Sequence, residues 1–107
     1  MEIDILSLFP KYFNGPFEVS IIKRAIENNL IKIRLVDIRD YSIDKHRKVD
    51  DRPFGGGPGM VLSPQPVSEA IRDVKKENSH VVYLSAQGRK FDAAKAKELS
   101  KYEHLVF

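Results

Sequence analysis

The sequence predicts an α/β domain, a mostly parallel sheet with helices on both faces. Three observations carry this. Short apolar runs recur at 3–8, 31–36, 80–85 and 105–107. Segments with apolar residues three and four apart lie between them. The order is β-α-β-loop-α-β-α-β, and such alternation implies parallel strands joined by helical crossovers.

Each element has a local reason. Ile3–Leu8 is nearly all apolar and ends at Phe9-Pro10, where proline stops a strand. Asn14-Gly15-Pro16 predicts a turn. Val19, Ile22, Ala25, Ile26 and Leu30 keep helical spacing over Glu18–Leu30, with Asn28-Asn29 as a stop. Ile31–Val36 alternates and then becomes apolar, as a second strand does. Ser63-Pro64 opens a helix to about Lys76, with Val67, Ala70, Ile71 and Val74 on one face. His80–Ser85 is a third strand. Asp92 caps a helix to about Tyr102, with Ala96 and Leu99 inward. Leu105–Phe107 begins a fourth strand.

Composition narrows the class. The 107 residues hold 18 Lys and Arg against 15 Asp and Glu, a net charge of +3 that mildly favours an anionic partner. Cysteine is absent, which excludes a disulfide framework, a thiolate metal site and a cysteine nucleophile. No apolar run approaches the length of a membrane-spanning helix. Met1-Glu2-Ile3-Asp4 carries acids where a secretory leader carries lysines, so a cytoplasmic protein is expected.

Residues 37–66 have no periodicity and hold four of the six glycines and four of the six prolines. A stretch of this length without elements of its own is usually functional. Parallel sheets bind ligands beyond the carboxyl ends of their strands. The turns after Leu8, Val36 and Ser85 are therefore the expected working side. Within the long stretch, Gly55, Gly56, Gly57 and Gly59, interrupted by Pro58, let the backbone adopt positive φ and come close to a planar ligand. The pattern is neither a Walker loop nor a dinucleotide fingerprint, because no Gly-Lys-Ser/Thr follows and Met60 replaces the last glycine. A flexible surface loop is the plainer alternative.

The preceding charges suit a nucleic acid. Lys45, Arg47, Lys48 and Arg52 can meet phosphates. His46 can stack on a base or exchange a proton. Asp50 can accept hydrogen bonds from the N1–H and amino edge of guanine. Asp44, Asp50 and Asp51 make a self-neutralising, solvated loop the competing reading. A metal set of Asp44, His46, Asp50 and Asp51 is disfavoured by its many cations. Farther on, Tyr83-Leu84-Ser85-Ala86-Gln87-Gly88 leaves a strand for a turn, where backbone groups can meet a ligand; a plain strand end is the alternative. Ser85 has no visible His-Asp partnership, so it does not read as a nucleophile.

These residues together resemble a family. Ile5-Leu6-Ser7-Leu8-Phe9-Pro10, Arg39-Asp40-Tyr41, Asp44-Lys45-His46-Arg47, the run Val49–Met60 and Tyr83-Leu84-Ser85 with Gln87-Gly88 are similar, in order, to the bacterial tRNA (guanine-N1)-methyltransferases of the TrmD type. The resemblance implies transfer of a methyl group from S-adenosylmethionine to N1 of the guanosine immediately 3′ of the anticodon. It implies an α/β-knot (SPOUT) fold, a tRNA partner and a homodimer with sites at the subunit interface. It makes His46, Asp50 and Arg52 guanosine or tRNA contacts. Gly55, Gly56, Gly57, Pro58 and Gly59 become the wall for the target base, and Tyr83, Leu84, Ser85 and Ala86 part of the cofactor pocket. The flipped base fits the logic of enzymes that do chemistry on a base.

Two substitutions depart from the family pattern: Ala86 stands where proline is common, and Phe54 where tyrosine is. In the family the knot loops, a linker and a helical domain follow the segment matching this chain. Residues 1–107 are therefore expected to form the N-terminal part of the methyltransferase domain, without the knot region. No catalytic residue is assigned, since the general base is expected beyond Phe107. The chain alone is expected to be inactive. A tRNA-binding fragment without catalysis or cofactor binding is the first alternative, and a self-associating fragment with an uncovered sheet the second. No resident metal is expected. Mg²⁺ carried on phosphates needs few protein ligands, so a requirement for it leaves no trace in the residues.

Overall fold

The structure, a computed structural model, describes every residue from Met1 to Phe107. Four parallel strands form its sheet: β1 (Glu2–Ser7), β2 (Lys32–Asp37), β5 (Ser79–Val81) and β6 (His104–Val106), in the order β2-β1-β6-β5. Strands β3 (Asp50–Asp51) and β4 (Val61–Leu62) form a separate antiparallel pair. The helices are α1 (Asn14–Phe17), α2 (Ser20–Glu27), α3 (Pro64–Val74) and α4 (Ala93–Leu99).

β1 and β2 run in register along six residues, from Glu2 beside Lys32 to Ser7 beside Asp37. β6 enters on the other flank of β1, with Glu2 beside His104 and Asp4 beside Val106. The chain leaves β1 for one side and returns on the other, so the order of strands reverses between β1 and β6. Such a reversal opens a crevice at the carboxyl ends of the strands.

One face of the sheet is well covered. Val36 and Val106 meet Val74 of α3, with Leu6 and Tyr41 packed around them. Ala70 is fully buried beside them on the same helix. The opposite face is covered unevenly. Leu99 and Leu105 are buried there, and His80 stacks on Tyr102 with ring centroids 4.1 Å apart. Ile3, Ile5, Ile33 and Leu35 stay half-exposed. Only 11 residues are buried, and the radius of gyration of 15.6 Å exceeds the roughly 13 Å of a compact chain this long.

Several expectations change. Asn14-Gly15-Pro16 is not an open turn but the start of the short α1, where proline's fixed φ and missing N–H are tolerated. The predicted helix over 18–30 shortens to α2. Val19 stays extended before it, and Asn29 at φ 57° follows it. Val19 and Leu30 are 59% and 66% exposed, so neither belongs to a buried stripe. The third strand stops at Val81, because β6 gives the segment its last ladder bond, from Val82 N–H to the Val106 carbonyl (2.7 Å). Beyond it no neighbour offers a partner. Ala96 is exposed, and Leu99 alone carries the inward contact of α4.

The long stretch 37–66 is more ordered than its composition suggests. It opens with a 3₁₀ turn, Ile38–Tyr41, capped by the Asp37 carboxylate, which accepts from Arg39 N–H (2.9 Å). Gln65 then straddles the loop. Its amide donates to the Tyr41 carbonyl (2.7 Å) and accepts from Ile43 N–H (3.4 Å). The expected boundary at Ser63-Pro64 is where α3 begins.

Candidate ligand cleft and recognition hairpin

The two segments singled out by the sequence both lie beyond the carboxyl ends of the strands. The first begins as a tight turn. Asp44 accepts from His46 N–H (2.8 Å) and Lys48 N–H (3.3 Å), and Ser42 Oγ donates to the Lys48 carbonyl (2.5 Å). Short acidic and hydroxyl side chains close loops in this way. Val49 follows, fully buried, and its carbonyl accepts from Ser63 N–H (2.7 Å). From this root the β3–β4 hairpin projects.

The hairpin tip is exposed throughout. Phe54 makes no burying contact, and Gly56 N–H closes a turn on the Pro53 carbonyl (3.1 Å). Gly55, Gly56 and Gly59 sit at φ 83°, 73° and 86°, so their glycines answer a backbone need. Nothing lies within 4 Å of where a Cβ would stand on them or on Gly57. Pro58 is exposed between them.

The charges divide into bound and free. Arg47, at φ 57°, pairs with Asp40 and approaches Asp37 (3.9 Å), and Lys48 lies 3.6 Å from Asp51. Those two cations serve the loop itself, as the self-neutralising reading anticipates. The backbone N–H of Arg52 and the charge of Lys48 hold the Asp51 carboxyl below its ordinary value. The side chains of Lys45, His46, Asp50 and Arg52 make no hydrogen bond or ion pair within the chain. Asp44, His46, Asp50 and Asp51 do not gather into a metal-ligating group.

The second segment lines an open cleft of about 850 Å³ between the loop after β5 and α4. Tyr83, Leu84, Ser85 and Ala86 form one wall. The backbone N–H groups of Tyr83 and Leu84 have no partner within the chain. Ser85 shapes the turn that follows: its carbonyl accepts from Gly88 N–H (3.1 Å), and its hydroxyl from Gln87 N–H (3.2 Å). A Cβ on Gly88 would stand 3.2 Å from that carbonyl, closer than a side chain sits comfortably.

Sequence reasoning missed the other polar and aromatic lining of the cleft, Arg89, Lys90, Phe91 and Lys95. Two adjacent cations after a glycine turn were the available signal. It also missed a polar network at the other end of the sheet, where Asp4, Arg34 and His104 meet.

The two segments border one common cavity at their roots. A smaller apolar cavity of about 190 Å³ is lined by Leu62 of β4, by Tyr83 and Leu84, and by Val106 and Phe107. The guanosine-contact candidates line neither of these two cavities. Hairpin root and cleft wall thus share a small apolar cavity, while the hairpin tip lines neither it nor the cleft.

A parallel α/β sheet with a ligand cleft and a projecting glycine hairpin at its carboxyl edge defines a binding or group-transfer domain. The comparisons with known proteins specify it further. The model of the family described as tRNA (Guanine-1)-methyltransferase TrmD matches residues 1–107, and the chain belongs to that family. Relatives named tRNA (guanine-N(1)-)-methyltransferase include one from Protochlamydia amoebophila, 56% identical over 99% of this chain and 48% of its own length. One from Clostridium botulinum is 55% identical over 100% of this chain and 45% of its own. One from Dictyoglomus turgidum is 49% identical over 99% and 43%. The chain spans about half the length of the curated relatives it matches.

Proposed function

We propose that this chain is the N-terminal, base- and tRNA-facing part of a methyltransferase that moves a methyl group from S-adenosylmethionine to N1 of the guanosine immediately 3′ of the anticodon. The observation that carries this reading is the cavity that Leu62 lines together with Tyr83 and Leu84. It puts the root of the recognition hairpin beside the cleft wall, at the strand ends where α/β sheets bind ligands.

The cleft suits the adenosyl part of the cofactor. It is roomy enough for a nucleoside, it has the apolar side of Leu84, and Tyr83 and Leu84 offer free backbone donors to a base edge. When bound, S-adenosylmethionine supplies an electrophilic methyl group on sulfur. The chain's own residues do the positioning. Asp50 accepts from the N1 and amino edge of guanine, and Arg52 and His46 contact the neighbouring tRNA. The backbone from Gly55 to Gly59 gives the base a surface free of side chains. In-line attack needs the two groups held at near-attack distance, and the group that removes the N1 proton lies outside this chain. The working unit in this reading is a cytoplasmic homodimer, supported by the exposed Phe54, Tyr83 and Leu84.

Calorimetric titration with S-adenosylmethionine, with and without unmodified tRNA, tests the reading. Saturable cofactor binding, weakened by substitution of Leu84, is expected. Absence of cofactor binding with tRNA binding intact would instead favour a tRNA-binding fragment. The chain alone is expected to transfer no methyl group, and incorporation of labelled methyl into tRNA would overturn that point.

A further inference from the structure

Three cations, Arg89, Lys90 and Lys95, line the same cleft as Tyr83–Ala86, and no carboxylate lines it. Arg89 and Lys90 are exposed and form no ion pair. Lys95 pairs with Glu98 (2.7 Å), which lies outside the lining. Tyr83 and Phe91, at the same cleft, are 83% and 54% exposed.

Arg89 and Lys90 answer no net charge of the proposed cofactor. S-adenosylmethionine has a sulfonium and an ammonium against a single carboxylate, a net charge of +1. A phosphodiester carries the charge opposite to these two side chains. Cations interleaved with exposed aromatic rings are how proteins hold single-stranded nucleic acid, by phosphate contact and base stacking.

We propose that Arg89 and Lys90, supported by Lys95, form a phosphodiester-binding edge for an RNA strand that passes the mouth of the cleft, with Phe91 as a stacking platform. The proposal rests on the tRNA-directed reading above and adds to it a second RNA contact, apart from the hairpin.

The test is fluorescence anisotropy with a labelled stem-loop RNA bearing a single-stranded loop, titrated with the chain across a range of salt. The parent chain is compared with Arg89→Ala/Lys90→Ala. A second variant, Lys32→Ala/Lys75→Ala, removes equal charge at the opposite end of the strands. Loss of two single-strand phosphate contacts should flatten the slope of log affinity against log salt by about 1.4, about 0.7 for each, with binding about tenfold weaker at about 50 mM salt. The control variant should keep the parent slope. Equal slopes in all three proteins would overturn the proposal, as would equal losses in both variants. Adenosine 5′-monophosphate provides the mononucleotide arm. Its binding at micromolar concentration through Arg89 and Lys90 would assign the edge to a free nucleotide and overturn the RNA assignment. Calorimetry with S-adenosylmethionine separates this failure from that of the wider reading. Cofactor binding together with unchanged RNA slopes removes only this subsite, whereas no RNA binding by the parent chain removes both.

Discussion

His104 Nε2 lies 2.9 Å from Asp4 Oδ2, and both residues are almost wholly buried. Arg34 completes the carboxylate from the solvent side with two hydrogen bonds of 2.7 and 2.8 Å. Ser79 Oγ, 2.5 Å from Nδ1, accepts from Lys76 N–H and has its own proton to give to the ring. With Nε2–H donating to Asp4 the network is complete, and no buried side-chain polar atom in the chain lacks a partner. Burial alone would raise the Asp4 carboxyl; the hydrogen bonds from Arg34 and His104 outweigh it and hold the group below its ordinary value.

Removing one partner leaves buried polar groups stranded, so Asp4→Ala should cost about 3 kcal/mol of stability at neutral pH. The sign of the pH effect follows from the lowered carboxyl. Its contribution is present above the unfolded value and is lost as pH falls through the folded one. The parent chain should therefore lose stability on acidification below about pH 4. The Asp4→Asn curve should lack that component. Urea unfolding across pH measures both.

Tyr41 donates its hydroxyl to Asp73 Oδ2 at 2.5 Å. That hydrogen bond, then burial, then the Asp73 charge push the phenol up to about 12. The folded state favours the neutral ring, so the contribution is complete below the ordinary value of 10.0 and is lost as pH rises toward about 12. Ultraviolet titration should show a late-titrating member among the four tyrosines. Tyr41→Phe should abolish that phase and cost about 1 kcal/mol.

Val49 anchors the hairpin. It is fully buried at the root, and its carbonyl bonds to Ser63. Val49→Ala should cost about 2 kcal/mol through the cavity it leaves. Hydrogen exchange at Ser63 N–H should quicken in step, while that in β1 changes only with global stability. Unchanged exchange at Ser63 would show the hairpin held elsewhere.

Gly88→Ala would place a methyl group 3.2 Å from the Ser85 carbonyl. The turn must open by a few tenths of an ångström, at about 1 kcal/mol. The same shift moves the wall formed by Ser85 and Ala86. S-adenosylmethionine binding should weaken in this variant, as calorimetry would show. Gly57→Ala, at a negative φ with open space around it, should leave cofactor binding intact.

Much of the sheet was legible in the residues. Strand cores fall where apolar runs are, and α3 opens at Ser63-Pro64 as proline geometry requires. The glycine hairpin and the Tyr83–Ala86 wall were legible as segments, because positive φ and strand-end turns leave local marks. What failed were ends and faces. Val19, Leu30 and Ala96 keep helical spacing yet are exposed, since periodicity shows that a stripe exists and not whether anything packs on it. Tyr83–Ser85 reads as strand yet pairs with nothing, because pairing depends on where β6 stops.

The sequence by itself determined the class, the order of the four sheet strands along the chain and the family, all of which are written in local pattern and motif. Only the tertiary structure decided which charges are free. Arg47 and Lys48 look as available as Arg89 and Lys90 in the sequence, yet the fold gives the first two carboxylate partners and leaves the second pair at the mouth of a cleft. It also decided that Asp4, Arg34 and His104 meet, although a hundred positions separate the first from the last. Charge pairing depends on distances of a few ångströms, and chain order does not record them.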